Sequence, residues 1–281
     1  DPSNVRPALG RWILAEANTA ITEATKALES YRFDEYAQSC YRFVWNRFCD
    51  WFLEFAKPVF TSDNAAEAEE IRAVAAHVLG TILRLLQPVV PFMTDTLWHA
   101  FDFGAEGSLI DAAWPQPVAV THSADASAEC DQMIRLISEI RTVRSEMNIP
   151  PSRLVPVLLK DASNQTLERV QRWQDSLCRM ARIETVGPLV GDVPQGAAQA
   201  VVDETTAILP LAGLIDLKVE RERLEKELAK AQDEAAKTEK KLGNENFVSR
   251  AKPEVVQEMR DRLESQSGEC LRLKAALARI G

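Results

Sequence analysis

The chain has 281 residues, 46% of them hydrophobic and 27% charged, with a formal net charge of −9. This is the composition of a globular protein with length for two domains. No run of eighteen apolar residues and no signal peptide is present, so neither a membrane-spanning helix nor a membrane partner is expected.

The first residue is Asp1 and helical sequence starts almost at once, so a piece of a longer chain is expected. Val5 to Ser30 reads as one amphipathic helix, with Leu9, Trp12, Ile13, Ala20, Ile21, Ala24 and Leu28 on its apolar side. Asp34 is placed to cap a second helix that runs through Phe55, with Lys57-Pro58 as its stop. Asp63 or Asn64 caps a third, Ala65 to Gln87, carrying Ile71, Val74, Val78, Ile82, Leu83 and Leu86 inside. Pro88 and Pro91 break it before a short fourth helix, Phe92 to Phe101. Long amphipathic helices joined by short loops pack as an antiparallel bundle.

The second helix is apolar around most of its circumference and is expected to be largely buried. At α-helical pitch Asn46, Asp50 and Lys57 fall within a sector of about 40°, with Glu54 and Arg47 just beyond. Leu53 lies inside that polar stripe, and Phe43 on it one turn earlier. An apolar side chain in such a stripe either packs under a neighbouring loop or offers a flat contact to an unstacked base. In the second case the amide and charged neighbours would read the base edge.

Residues 103–127, rich in Gly, Ala, Ser, Asp and Pro, read as a surface connector. Beyond it, Glu129 to Met147 is helical and Pro150-Pro151 ends it. Leu154 to Lys160 is strand-like and Gln165 to Ala181 helical. Ile183 to Val186, Ala200 to Asp203 and Thr206 to Pro210 are short strands. This is a small α/β module.

The last quarter carries two heptad seams. One runs Leu214, Leu217, Arg221, Leu224, Leu228, Ala231, Ala235, Thr238, Leu242; the other Val256, Met259, Leu263, Gln266, Cys270, Leu273, Leu277, Ile280. Between them Gly243-Asn244-Glu245-Asn246-Phe247 and Lys252-Pro253 supply a helix stop and a helix start. The result is an antiparallel hairpin reaching roughly 40 Å. Lys237, Lys240, Lys241, Arg250 and Lys252 outnumber Glu239 and Glu245 around the turn. Basic charge at the far end of an arm suits a polyanion. If the turn centres near Phe247, Lys237 and Arg262 stand at similar heights beside seam residues Thr238 and Leu263; they are either a cationic flank or ordinary solvated charges. A spacer or dimerisation hairpin is the alternative to the whole arm reading. The arm holds 15 basic residues against 14 acidic ones, leaving −10 on the rest, which makes the body poor at non-specific nucleic-acid binding because phosphate contacts supply most of that affinity, so any RNA contact by the body is expected to be local and specific.

No catalytic constellation is found: no Gly-rich phosphate loop, no Gly-x-Ser-x-Gly, no His-Glu-x-x-His. His77, His99 and His122 lie far apart and read as structural. Cys40, Cys49, Cys130, Cys178 and Cys270 are odd in number and never form a Cys-x-x-Cys pair, which suits reduced thiols in the cytoplasm and offers no metal site.

Several stretches together resemble the C-terminal part of the class I aminoacyl-tRNA synthetases, most closely the bacterial valyl type. They are Phe43-Val44-Trp45-Asn46-Arg47-Phe48-Cys49-Asp50-Trp51 on to Lys57-Pro58, Leu86-Gln87-Pro88-Val89-Val90-Pro91-Phe92-Met93-Thr94, and Trp114-Pro115. To these are added Arg141-Thr142-Val143-Arg144-Ser145-Glu146-Met147-Asn148-Ile149-Pro150-Pro151, Leu209 to Asp216, and Leu242-Gly243-Asn244-Glu245-Asn246-Phe247-Val248. The bundle signature is shared with leucyl and isoleucyl enzymes, which stay open as alternatives; the hairpin points to valyl.

The resemblance implies a mainly α fold. Residues 1–102 would be an anticodon-binding helical bundle missing its start, 103–127 a connector, 128–213 a small α/β junction module and 214–281 a coiled-coil arm. It implies tRNA(Val) as partner, with Lys237, Lys241 and Arg262 at the tRNA elbow and Leu53, Asn46, Asp50 and Lys57 at the anticodon loop. The parent would attach valine using ATP and Mg²⁺. This piece lacks His-x-Gly-His, Lys-Met-Ser-Lys-Ser and the editing insert, so it is expected to be inactive alone, to need no cofactor, to bind no DNA and to be a monomer.

Overall fold

A computed structural model describes residues 2–103, 107–213, 217–244 and 253–279. The chain divides into two compact units, 1–134 and 135–281.

The first unit is helical. α1 (Ala8–Glu29) packs against α2 (Phe33–Tyr41) and α4 (Ala65–Leu86), and α5 (Pro91–Ala100) packs on α4. Apolar residues at helical spacing put Trp12, Ile13, Leu14, Ala17, Ile21 and Ala24 of α1 into the core opposite Ile71, Val74, Val78 and Leu85 of α4. Trp12 meets Phe55 edge to face at 6.5 Å. The Tyr36 hydroxyl donates to the Leu85 carbonyl and ties α2 to α4. Asn64 caps α4 by accepting from the Glu67 N–H at 3.2 Å. Asp34 is not the N-cap residue: the helix already starts at Phe33, and Asp34 sits in its first turn, where its carboxylate accepts from the Glu35 backbone N–H and has Arg32 at 3.5 Å. Nor does Lys57-Pro58 stop the helix, which runs two residues further, to Phe60.

α2 runs on without a break into a π-helix of eleven residues, Arg42–Phe52, and then into α3 (Leu53–Phe60). The buried side chains explain it. Phe43, Phe48 and Phe52 all lie in the core. At α pitch Phe48 would point about 140° away from Phe43. With i→i+5 closure a five-residue step returns to nearly the same face, and both rings are buried.

α6 (Ser123–Glu146) starts six residues before the expected Glu129, inside the expected connector, and crosses the division between the units. It ends in a left-handed cap: Asn148 has φ 49°, and the Ile149 N–H returns to the Arg144 carbonyl at 2.9 Å.

The second unit begins with a four-stranded sheet in the order β2-β1-β4-β3, formed by β1 (Val155–Lys160), β2 (Ile183–Pro188), β3 (Ala197–Val202) and β4 (Thr205–Pro210). β1 and β2 are parallel, as a crossover through α7 (Asn164–Arg172) and α8 (Gln174–Ala181) requires. The expected single helix is broken in two at Trp173. β3 and β4 form a hairpin whose two-residue turn puts Asp203 at φ 53°. Val155, Val157 and Leu159 alternate into the core from β1.

α9 (Leu217–Leu242) and α10 (Pro253–Arg279) pack along each other as the arm. Both ends meet at one residue. An Arg223 Nη atom donates to the Glu146 carbonyl at 3.1 Å, and Arg279 Nη1 donates to the Glu146 carboxylate at 2.9 Å. The start of α9 and the end of α10 therefore share a root, so the helices are antiparallel. Leu224, Ala231, Thr238, Val256, Gln266, Cys270 and Ala276 are buried along the seam. Arg221 is exposed and Glu220 takes the buried place, accepting from Arg223 Nε at 3.0 Å; the burial of one end of an ion pair moves the seam by one residue here. The turn, with Glu245, Asn246, Phe247, Arg250 and Lys252, and seam positions Leu214 and Ile280 lie outside the described residues.

Candidate nucleic-acid interface

On the bundle, Asn46, Asp50 and Lys57 are exposed and Leu53 is half-buried. Phe43 is buried and so is not part of any solvent-facing stripe. Lys57 pairs with Glu54 one turn away. Arg47 is held by Glu16 at 3.2 Å and Asp131 at 3.5 Å, so it braces α1 and α6 within the first unit and is not free to meet a ligand.

The π-helix redraws the outer face. Steps of four and five residues share a side on a π-helix, which brings Tyr41, Trp45, Asn46 and Asp50 into one exposed row. Tyr41 and Trp45 are 61% and 54% exposed, and their rings stack at 6.4 Å with planes 12° apart. Two parallel aromatic rings open to solvent, followed by an amide that both donates and accepts and a carboxylate that accepts, can stack bases and read their edges. The sequence reading missed Tyr41 and Trp45 because it assumed α pitch, which turns Asn46 about 140° from Tyr41 and Asp50 about 140° from Trp45. Their four-residue spacing as aromatics was the signal available.

On the arm, Lys237, Lys241 and Arg262 are all exposed. Counting equal numbers of residues up each helix from Arg223 and Arg279, Lys237 comes level with Ser265, within one turn of Arg262. Lys237 pairs with Asp233 at 2.6 Å, and that hydrogen bond raises its pKa above the usual lysine value. The pair is fully exposed, so it competes weakly with a phosphate.

Among the described residues no group of three or more His, Cys, Asp or Glu side chains could hold a metal ion, and no helix is long and apolar enough to cross a membrane. The five cysteines are free thiols.

Residues 10–159 match the family described as the anticodon-binding domain of tRNA ligase, and residues 216–281 match the one described as the valyl tRNA synthetase tRNA binding arm. The chain is similar to a valine–tRNA ligase of Gluconobacter oxydans, 56% identical over 280 residues, which is 100% of this chain and 31% of that protein. It is 56% identical over 282 residues to one of Granulibacter bethesdensis, covering 100% of this chain and 31% of that protein. It is 43% identical over 283 residues to one of Caulobacter vibrioides, with the same coverage. The chain thus spans 31% of the length of these curated relatives.

Proposed function

The chain belongs to the anticodon-binding family of tRNA ligases, as the region of a valine–tRNA ligase that also carries the tRNA-binding arm, and from that premise we propose that it binds tRNA(Val) in two places. The bundle, residues 1–102, takes the anticodon loop. The hairpin, residues 214–281, lies along the elbow, and residues 128–213 join the two after the connector 103–127. In the parent this binding presents the tRNA to an ATP- and Mg²⁺-dependent site that attaches valine. The chain by itself recognises tRNA without forming valyl-adenylate. It works as a monomer in the cytoplasm, with no DNA or membrane partner.

The observation that carries this reading is the exposed row Tyr41, Trp45, Asn46, Asp50 on a chain whose net charge is −9. An acidic protein gains little from non-specific phosphate contact, so its affinity must come from local, specific groups. The row offers stacking and edge contacts of the kind single-stranded RNA loops need. Leu53, half-buried one turn further on, lends an apolar edge, and Lys57 a cation beside it. On the arm, Lys237, Lys241 and Arg262 supply phosphate contacts.

The test is binding of the chain to tRNA(Val), with the natural and an altered anticodon, over a salt series. A preference for the natural anticodon and a steep loss of affinity with salt are expected. Indifference to the anticodon together with self-association through the hairpin would instead make the arm a protein-interaction device.

A further inference from the structure

The seam of the arm is uneven. Toward the root it carries Leu224, Leu228 and Leu273, and toward the tip Leu242, Met259 and Leu263. Between these its residues are small or polar: Ala231, Ala235 and Thr238 on α9, Gln266 and Cys270 on α10. Short side chains bury little apolar area, so this stretch holds the two helices together least. Gln266 weakens it further. It is 8% exposed, and its Oε1 is buried with no hydrogen-bond partner. A buried acceptor left unpaired carries a desolvation cost that is relieved when water reaches it.

The helices themselves are weak at the same height. Counting as before from Arg223 and Arg279, Glu234 comes level with Gly268 and Ala235 with Ser267. There α10 reads Ser265-Gln266-Ser267-Gly268, in the interior of an unbroken helix. Serine and glycine hold a helix less well than alanine, and Gly/Ser pairs are among the few causes of sharp kinks. No packing explains Gly268: a Cβ at that position would meet nothing within 4 Å, and its φ is not positive. Alanine would fit and would hold the helix better. On the facing limb the Thr238 hydroxyl donates back to the Glu234 carbonyl at 3.0 Å, a bond that competes with the helix ladder and favours a bend.

We propose that residues 265–268 of α10 and 234–238 of α9 form a bending joint, at which the outer half of the arm tilts against its root. Lys237, Lys241 and Arg262 all lie on the tip side of Gly268 and Glu234. The tilt carries them together, because the larger seam residues keep the limbs paired on both sides of the joint. It brings the cationic flank to phosphates whose position the root does not fix. That use rests on the tRNA reading above; the joint itself does not.

The experiment uses the 281-residue chain, the variants Gly268→Ala and Gln266→Leu, and the two combined. Each change strengthens the helix or the seam, and the wild type alone already tests the joint. Hydrogen exchange followed by mass spectrometry reads local opening along α10. Exchange at 264–270 is expected to be faster than in the turns on either side, and to slow about fivefold in Gly268→Ala, as the difference in helix propensity implies. Spin labels incorporated at Glu222 and Glu258, both exposed and on opposite sides of the joint, read the tilt as the width of their distance distribution. The double variant should narrow it. Exchange no faster at 264–270 than beside it overturns the joint, and so does a distribution as narrow in the wild type as in the double variant. Binding of tRNA(Val) is measured in parallel. Affinity lowered about tenfold in the double variant, because the tilted forms are no longer populated, assigns the joint to tRNA docking. Unchanged affinity with a narrowed distribution removes that use and keeps the joint. A chain that ignores tRNA altogether removes the tRNA reading, and exchange and distances then decide the joint alone.

Discussion

Trp45 and Leu53 separate stacking from packing. Trp45 is more than half exposed and touches Tyr41, whereas Leu53 is half-buried on the same helix. Trp45→Ala is expected to leave the melting temperature nearly unchanged and to weaken tRNA binding by about 1–3 kcal/mol, the range for loss of one base–aromatic stack. Leu53→Ala should lower both, since part of that side chain packs. Glu16 carries a pH dependence of definite sign. Burial raises its carboxyl above the ordinary 4.5, against the pull of Arg47. Between the ordinary value and the raised one the folded chain keeps a proton that the unfolded chain has released, so stability falls as pH climbs through that window. Glu16→Gln should flatten this slope in denaturant midpoints taken from about pH 4 to pH 7. It should shift stability at neutral pH by no more than about 1 kcal/mol, because Arg47 keeps Asp131.

The π-helix is the element that the sequence hid. Amphipathic spacing made α1, α4 and most of the arm legible, because each keeps one pitch throughout, and only at the root of the arm does the buried seam slip by a residue. The second helix changes pitch at Arg42 and back at Leu53, and composition gives no warning, since aromatic bulk at Phe43, Phe48 and Phe52 looks equally at home in an all-round apolar α-helix. The same slip hid half of the candidate interface: Asn46 and Asp50 were readable as polar exceptions, but their neighbours Tyr41 and Trp45 were not. Arg47 shows the opposite failure, a charge legible near the stripe that the fold spends on Glu16 and Asp131. The Glu220-for-Arg221 exchange in the seam arises because Arg223 reaches back to hold a buried carboxylate, which periodicity does not encode. Phe43→Ala and Phe48→Ala should each destabilise the first unit by about 3–5 kcal/mol in chemical unfolding. A straight α-helix would leave one of the two on the surface, where truncation shifts stability by about 0.5 kcal/mol or less.

At the scale of the whole molecule, charge is unevenly shared: the arm is close to neutral, with 15 basic residues against 14 acidic ones, and the rest carries −10. Binding to tRNA should therefore lose its salt dependence mainly through arm substitutions. A Lys237→Ala, Arg262→Ala pair is expected to lower affinity by about 1–3 kcal/mol and to flatten the salt slope by nearly two, while anticodon preference is retained. The shared root of the arm at Glu146 has a further consequence. Because both limbs leave from one residue and stay in register, the distance from root to cationic flank is counted in turns, and the hairpin acts as a gauge. Deleting matched heptads, 225–231 and 271–277, would keep the seam in phase and leave Arg223, Arg279 and Glu146 in place. It would draw Lys237 and Arg262 in by about 10 Å. Such a shortened chain should still melt as a folded protein yet bind tRNA no better than the double variant, whereas a heptad removed from one limb alone would put the two counts out of step.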